Sequence, residues 1–152
     1  MRHKIIFTFL LIAFFAVNAY SQADRVVGIW LTEKKTSQVE IYKNSAGKYE
    51  GKLVWLDEPL DENGRPKTDK DNPEPSLRSR PLKGIKLLKD FDWDAKAKEW
   101  KNGTIYDPEN GKTYDAYMWL DDNNTLKIKG FVMGMRFMGR STAWTRERNV
   151  RN

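Results

Sequence analysis

The chain has 152 residues, about the length of one domain, with 27 basic and 21 acidic side chains, a net charge of +6, no cysteine and one histidine. With that histidine at position 3 and no thiol, the rest of the chain can build neither a Ser-His-Asp nor a Cys-His nucleophile, nor the usual Cys/His zinc site, nor a histidine-held haem. Disulfide staples are excluded as well, so an apolar core must carry stability; the basic excess is spread among mixed charges, without a basic-aromatic cluster, and points to solubility rather than nucleic acid.

The predicted elements begin with a leader. Arg2 and Lys4 precede an apolar run from Ile5 to Val17, broken only by Thr8, and Ala19-Tyr20-Ser21 offers small residues for a cut before Gln22. This is the pattern of a secretory signal peptide over residues 1–21. Its 13-residue apolar run falls short of the roughly 20 residues that span a bilayer. The expected product is exported, periplasmic or secreted, with residues 22–152 as one domain and no transmembrane segment in it.

Beyond the leader, two-residue alternation dominates. Val39 and Ile41 face one way and Gln38, Glu40 and Tyr42 the other; Leu126 and Ile128 alternate with Thr125, Lys127 and Lys129; Tyr114, Ala116, Met118 and Leu120 alternate with Thr113, Asp115, Tyr117 and Trp119. Strands are predicted at 26–31, 38–43, 48–56, 85–91, 100–106, 112–120, 125–131 and 137–146, separated by turn signals such as Asn44-Ser45-Ala46-Gly47 and Asp121-Asp122-Asn123-Asn124. Eight strands on mostly short turns make an antiparallel meander, which loses its exposed edges by closing the first strand on the last. The predicted fold is all-β, an eight-stranded up-and-down barrel. The one helical candidate between strands, 94–99, also reads as a turn.

The stretch from Asp57 to Lys83 breaks the alternation. Pro59, Pro66, Pro73, Pro75 and Pro81 cannot donate to a ladder, so it is read as a long loop or lid, disordered over 61–70 and forming a short capped helical turn over 72–81 that carries Arg78 and Arg80. Loops this long are usually functional or disordered. Its acids fail a calcium-loop test because Pro59 occupies the first ligand slot, and Asp69 with Asp71 is too small a set. Neither a metal nor a cofactor is expected.

Further along, the hairpin from Gly103 to Tyr114 turns at Asn110-Gly111 and would set Tyr106, Tyr114 or Lys112 at a barrel mouth; turn chemistry alone also accounts for most of it. Between Gly130 and Arg140, three glycines enclose six large apolar residues. That stretch reads either as core strand with sharp bends or as an adaptable apolar portal, where Arg136 or Arg140 offers a guanidinium fork to a carboxylate or phosphate. Six tryptophans enlarge the core. Gly28-Ile29-Trp30 on the first strand and Trp144-Thr145-Arg146 on the last suggest a closure in which an arginine lies over a tryptophan face. The candidate ligand-binding residues are Arg78, Arg80, Tyr106, Tyr114, Arg136 and Arg140, with Gly28, Trp30 and Arg146 as the closure; no catalytic pair can be nominated.

With these residues in view, the chain resembles the family of exported bacterial proteins numbered 2147 among domains of unknown function. The resemblance runs from Gly28-Ile29-Trp30-Leu31 through Asp71-Asn72-Pro73, Leu77-Arg78-Ser79-Arg80-Pro81, Ile105-Tyr106-Asp107-Pro108 and Gly111-Lys112 to Gly139-Arg140 and Trp144-Thr145-Arg146. It departs at Lys129-Gly130, where the family pattern often has Arg-Gly. The resemblance implies a lipocalin-like fold and supplies no activity or catalytic residues. The leading expectation is a non-enzymatic cell-envelope protein that binds a small hydrophobic or amphipathic molecule such as a fatty acid or lipid fragment, since an eight-stranded barrel has room for about one small ligand. The alternative is an envelope interaction module with a filled barrel and a docking loop at 57–83. An enzyme using Asp, Glu, Tyr or Lys ranks last.

Overall fold

The structure, a computed structural model, describes residues 22–152; the expected signal peptide lies outside the described residues. Eight strands follow one another: β1 Gly28–Leu31, β2 Ser37–Lys43, β3 Tyr49–Leu56, β4 Lys86–Asp94, β5 Glu99–Asp107, β6 Lys112–Asp122, β7 Thr125–Phe131 and β8 Arg140–Glu147. Each pairs antiparallel with the next, and β8 returns to β1 through Ile29 with Glu147, Trp30 with Arg146 and Leu31 with Thr145, closing the barrel. Closure pairs both edges of the meander, which is the expected remedy for unpaired strands.

Alternation decides what fills the barrel. Val39, Ile41, Leu53, Met118, Leu126 and Ile128 are buried, while Glu40, Tyr42, Lys127 and Lys129 between them are not. Two kinks adjust the pleat. Asp90 and Asn102 take positive φ values of 62°, where the register of β4 slips between Leu88 and Phe91 on one neighbour and that of β5 slips between Trp100 and Gly103. The Phe91 ring then occupies the space beside Gly103, where a Cβ would sit 2.4 Å from it. Phe91, Trp100 and Trp30 are each at most 1% exposed, and burial of such side chains contributes about 1.5–3 kcal/mol apiece.

One end is plugged by the 3-10 turn Asp24–Val26. Trp30 Nε1 donates to Val26 O at 2.8 Å, Trp100 Nε1 to Ala23 O at 3.0 Å, and Tyr49 OH to Asp24 Oδ1 at 2.5 Å. Arg146 lies 4.2 Å over the Trp30 ring and donates to the carbonyls of Asn123, Val27 and Arg25. Gly28, at φ 142°, leaves the room this needs, since a Cβ there would stand 3.0 Å from Arg146 Nη1. The chain after β8 runs back over the outer wall, where Asn149 O and Arg151 N satisfy the buried Gln38 amide.

One open choice is decided and two local expectations are corrected. The 94–99 segment is a turn, because Asp94 Oδ1 accepts from the amides of Lys96 and Ala97 and Lys98 turns at φ 55°. The last strand starts at Arg140 rather than Phe137, because Arg136–Met138 is a 3-10 turn. Residues 61–70 are ordered: Leu60 bridges Pro66, Thr68 bridges Pro81, and Asp61 Oδ1 caps the amides of Asn63 and Arg65 at 2.9 Å.

Candidate functional site

The loops that join β1 to β2, β3 to β4, β5 to β6 and β7 to β8 share the end opposite the plug, and the candidate residues gather at this rim. Its best-defined feature is a buried carboxylate. Asp69 is 0% exposed and accepts from Tyr106 OH at 2.6 Å, Asn72 Nδ2 at 2.7 Å, and Arg80 Nε and Nη2 at 3.0 and 2.8 Å. Burial alone would raise its carboxyl, but the bonds from Tyr106, Asn72 and Arg80 outweigh that and hold it below the ordinary carboxylate range. The same contact, with burial as the first cause, pushes the Tyr106 phenol up to about 12.

This knot fastens the 57–83 loop to the β5–β6 hairpin. Asn72 Oδ1 caps the Glu74 amide, Arg78 Nε donates to Asn72 O at 2.8 Å, and Gly111 passes so close that a Cβ would be 1.8 Å from Asp71 O. Three sequence candidates are thereby placed. Tyr106 does not line the barrel mouth: Ile105 pairs with Tyr114 and faces inward with it, so its chain neighbour Tyr106 faces out onto the loop. Arg78 and Arg80 are held by loop groups. Sequence reasoning missed Asp69 and Asn72 as the centre of this cluster; the signal was two acids beside an Asn-Pro, read there only as a poor metal set.

Arg136 is also placed elsewhere than expected. Its guanidinium lies 3.7 Å over the Tyr117 ring and bonds Glu99 at 2.8 Å, which puts it on the outer wall beside an aromatic row in which Tyr117 stacks on Trp119 at 5.5 Å and leans on Phe131 at 6.1 Å. A groove of about 370 Å3 follows this wall past Lys101 and Asp115.

Tyr114 and Arg140 fall on the same inward face near the rim, with β7 between them. One level of the barrel runs Gly103, Ala116, Gly130, Arg140 across four strands, and Arg140 shares the face of Trp144, which is in the core. Gly130 has no side chain, and a Cβ there would meet Ile105 and Tyr114 only at 3.4–3.5 Å. Arg140 is exposed and has no ion-pair partner among the described residues. Below this level the inward side chains bury one another. At this level of the rim Arg140 therefore shares the inward face with Ile105, Tyr114 and Thr142. A second basic feature, a groove of about 400 Å3, is lined by Arg80, Lys83, Lys86 and Lys89 outside the barrel; Lys86 is engaged by Glu50 at 2.8 Å.

Against known proteins, a family model described as "Uncharacterized protein conserved in bacteria (DUF2147)" matches residues 28–146. A solved structure, described as "Protein HP1028 from the human pathogen Helicobacter pylori belongs to the lipocalin family", is 28% identical, with a TM-score of 0.67 over 82% of this chain and 84% of that one. The closed antiparallel barrel is thus of lipocalin type. No curated protein matches the chain.

Proposed function

Because the chain belongs to this bacterial family, DUF2147, and shares the lipocalin-type barrel, we propose that it is a non-enzymatic binding protein of the cell envelope, taking an amphipathic molecule such as a fatty acid or lipid fragment by its acidic head group. The observation that carries this reading is Arg140, exposed and without an ion-pair partner among the described residues, which pairs in register with Gly130 at the level where Ile105 and Tyr114 pack against that glycine. A planar guanidinium matches a carboxylate bidentately. The packed core beneath keeps the ligand shallow, its tail lying over Ile105 and Tyr114 rather than in a deep calyx. Export rests on the pattern of the first 21 residues. Native mass spectrometry of the protein recovered from its own periplasm tests the proposal: a co-purifying acidic amphiphile is expected, and an empty protein whose tryptophan emission ignores added fatty acids contradicts it.

The packed interior favours a second reading, an interaction module that docks through the 57–83 loop. Its exposed tip at Glu62, Asn63 and Arg65 separates the two. Alanine at all three positions would abolish partner capture and leave fatty-acid uptake intact if docking is the function.

A further inference from the structure

The loop between β7 and β8 is apolar where a rim loop ordinarily is polar. Met133 is 85% exposed, Phe137 80%, Met138 67% and Val132 49%, four large apolar side chains within seven residues. The loop is shaped by local turns: Met133 and Gly134 take φ values of 53° and 71°, Met135 N donates to Val132 O and Met138 N to Met135 O, each at 3.0 Å. Arg136 ties it to Tyr117 and Glu99, so the tips are presented rather than folded back into the wall. A patch of this kind on a soluble domain marks an interaction site.

Charge selects the occupant. Residues 125–145 contain Lys127, Lys129, Arg136 and Arg140 and no acid. The acids facing this region are Glu99, which Arg136 engages, Asp121, 4.0 Å from Lys127, Glu33 of the β1–β2 turn, which accepts from Thr142 and Ala143, and Asp115, across the ladder from Phe131. Lys129 and Arg140 stand without an ion-pair partner among the described residues. Protruding apolar tips with cations behind them fit the boundary of an anionic bilayer, where the tips enter the acyl region and the cations meet phosphate head groups. Methionine and phenylalanine suit an irregular, fluid partner.

We infer that the β7–β8 loop docks the protein on an anionic lipid surface, with the barrel mouth at Arg140 next to the bilayer. The inference shares Arg140 with the head-group site but rests on the apolar tips at Val132, Met133, Phe137 and Met138, which that site does not use, so the two can fail separately. The test is sedimentation of the exported protein with vesicles of phosphatidylglycerol and phosphatidylethanolamine, against vesicles of phosphatidylcholine alone. Partition into the anionic vesicles is expected to be at least about tenfold stronger than into phosphatidylcholine and to fall in high salt. The double variant Phe137→Ser, Met138→Ser should lose about tenfold of that partition, with unchanged melting and unchanged fatty-acid titration in vesicle-free buffer. Absence of sedimentation, equal partition into both vesicle types, or wild-type partition of the double variant overturns the inference. So does a solution dimer that the double variant dissociates while neither protein binds vesicles, which would make the loop a contact between copies.

Discussion

Two loops rise from the same rim and are built in opposite ways. The 57–83 loop is polar, proline-rich and long, yet its root is buried, with Asp69 fully enclosed and four donor bonds converging on it. The β7–β8 loop is short and apolar, yet it holds Met133, Phe137 and Met138 in solvent. Polarity therefore does not decide which loop is fastened. What decides is whether each buried polar atom finds a partner, because a satisfied carboxylate can be enclosed whereas exposed apolar tips need only a turn that holds them out.

The contrast can be broken most forcefully at the knot. Asp69→Ala leaves Tyr106, Asn72 and Arg80 without their acceptor and should cost about 3 kcal/mol in urea denaturation, together with rapid protease cleavage within 57–83. Gly111→Ala is next: its φ of 69° and a Cβ 1.8 Å from Asp71 O should cost about 2 kcal/mol, seen as faster hydrogen exchange at the amides of Asp69 and Asn72. Acid is a milder probe. Because Asp69 titrates below its ordinary range when folded, the knot's contribution is complete above about pH 4 and is lost as the pH falls through the lowered value; loop cleavage should accelerate there while the barrel strands stay protected. The smallest effect belongs to the other loop, where Phe137→Ser with Met138→Ser should shift stability by no more than about 0.5 kcal/mol. A large loss there would mean that the apolar loop is structural too.

Much of the barrel was legible because period-two alternation is local. β2, β6 and β7 could be read residue by residue, and the Gly28, Trp30, Arg146 closure followed from their places on the first and last strands; in the structure Arg146 stacks on Trp30. The kinks at Asp90 and Asn102 fall on two residue types that tolerate positive φ, a signal too weak on its own to interrupt the apparent strand. The rim was less legible for a related reason. Asp69 meets Tyr106 across 37 residues of sequence, and only the fold brings a weak acidic pair to a tyrosine and an arginine. Asp71-Asn72, Arg80, Tyr106 and Gly111, which carry the family resemblance, all lie at the root of the loop. Tyr114 and Arg140 share the mouth by strand register, whereas Arg136, only four residues earlier, is diverted to Glu99 by the turn between them.

The central claim is that an acidic amphiphile binds at the mouth through Arg140, and calorimetric titration of a medium-chain fatty acid into the wild type and Arg140→Ala tests it most directly. Arg140 is exposed, so the variant should melt with the wild type, and its affinity should fall at least about tenfold, roughly 1.4 kcal/mol. Equal affinity in the two proteins, or no uptake by the wild type, would contradict the claim.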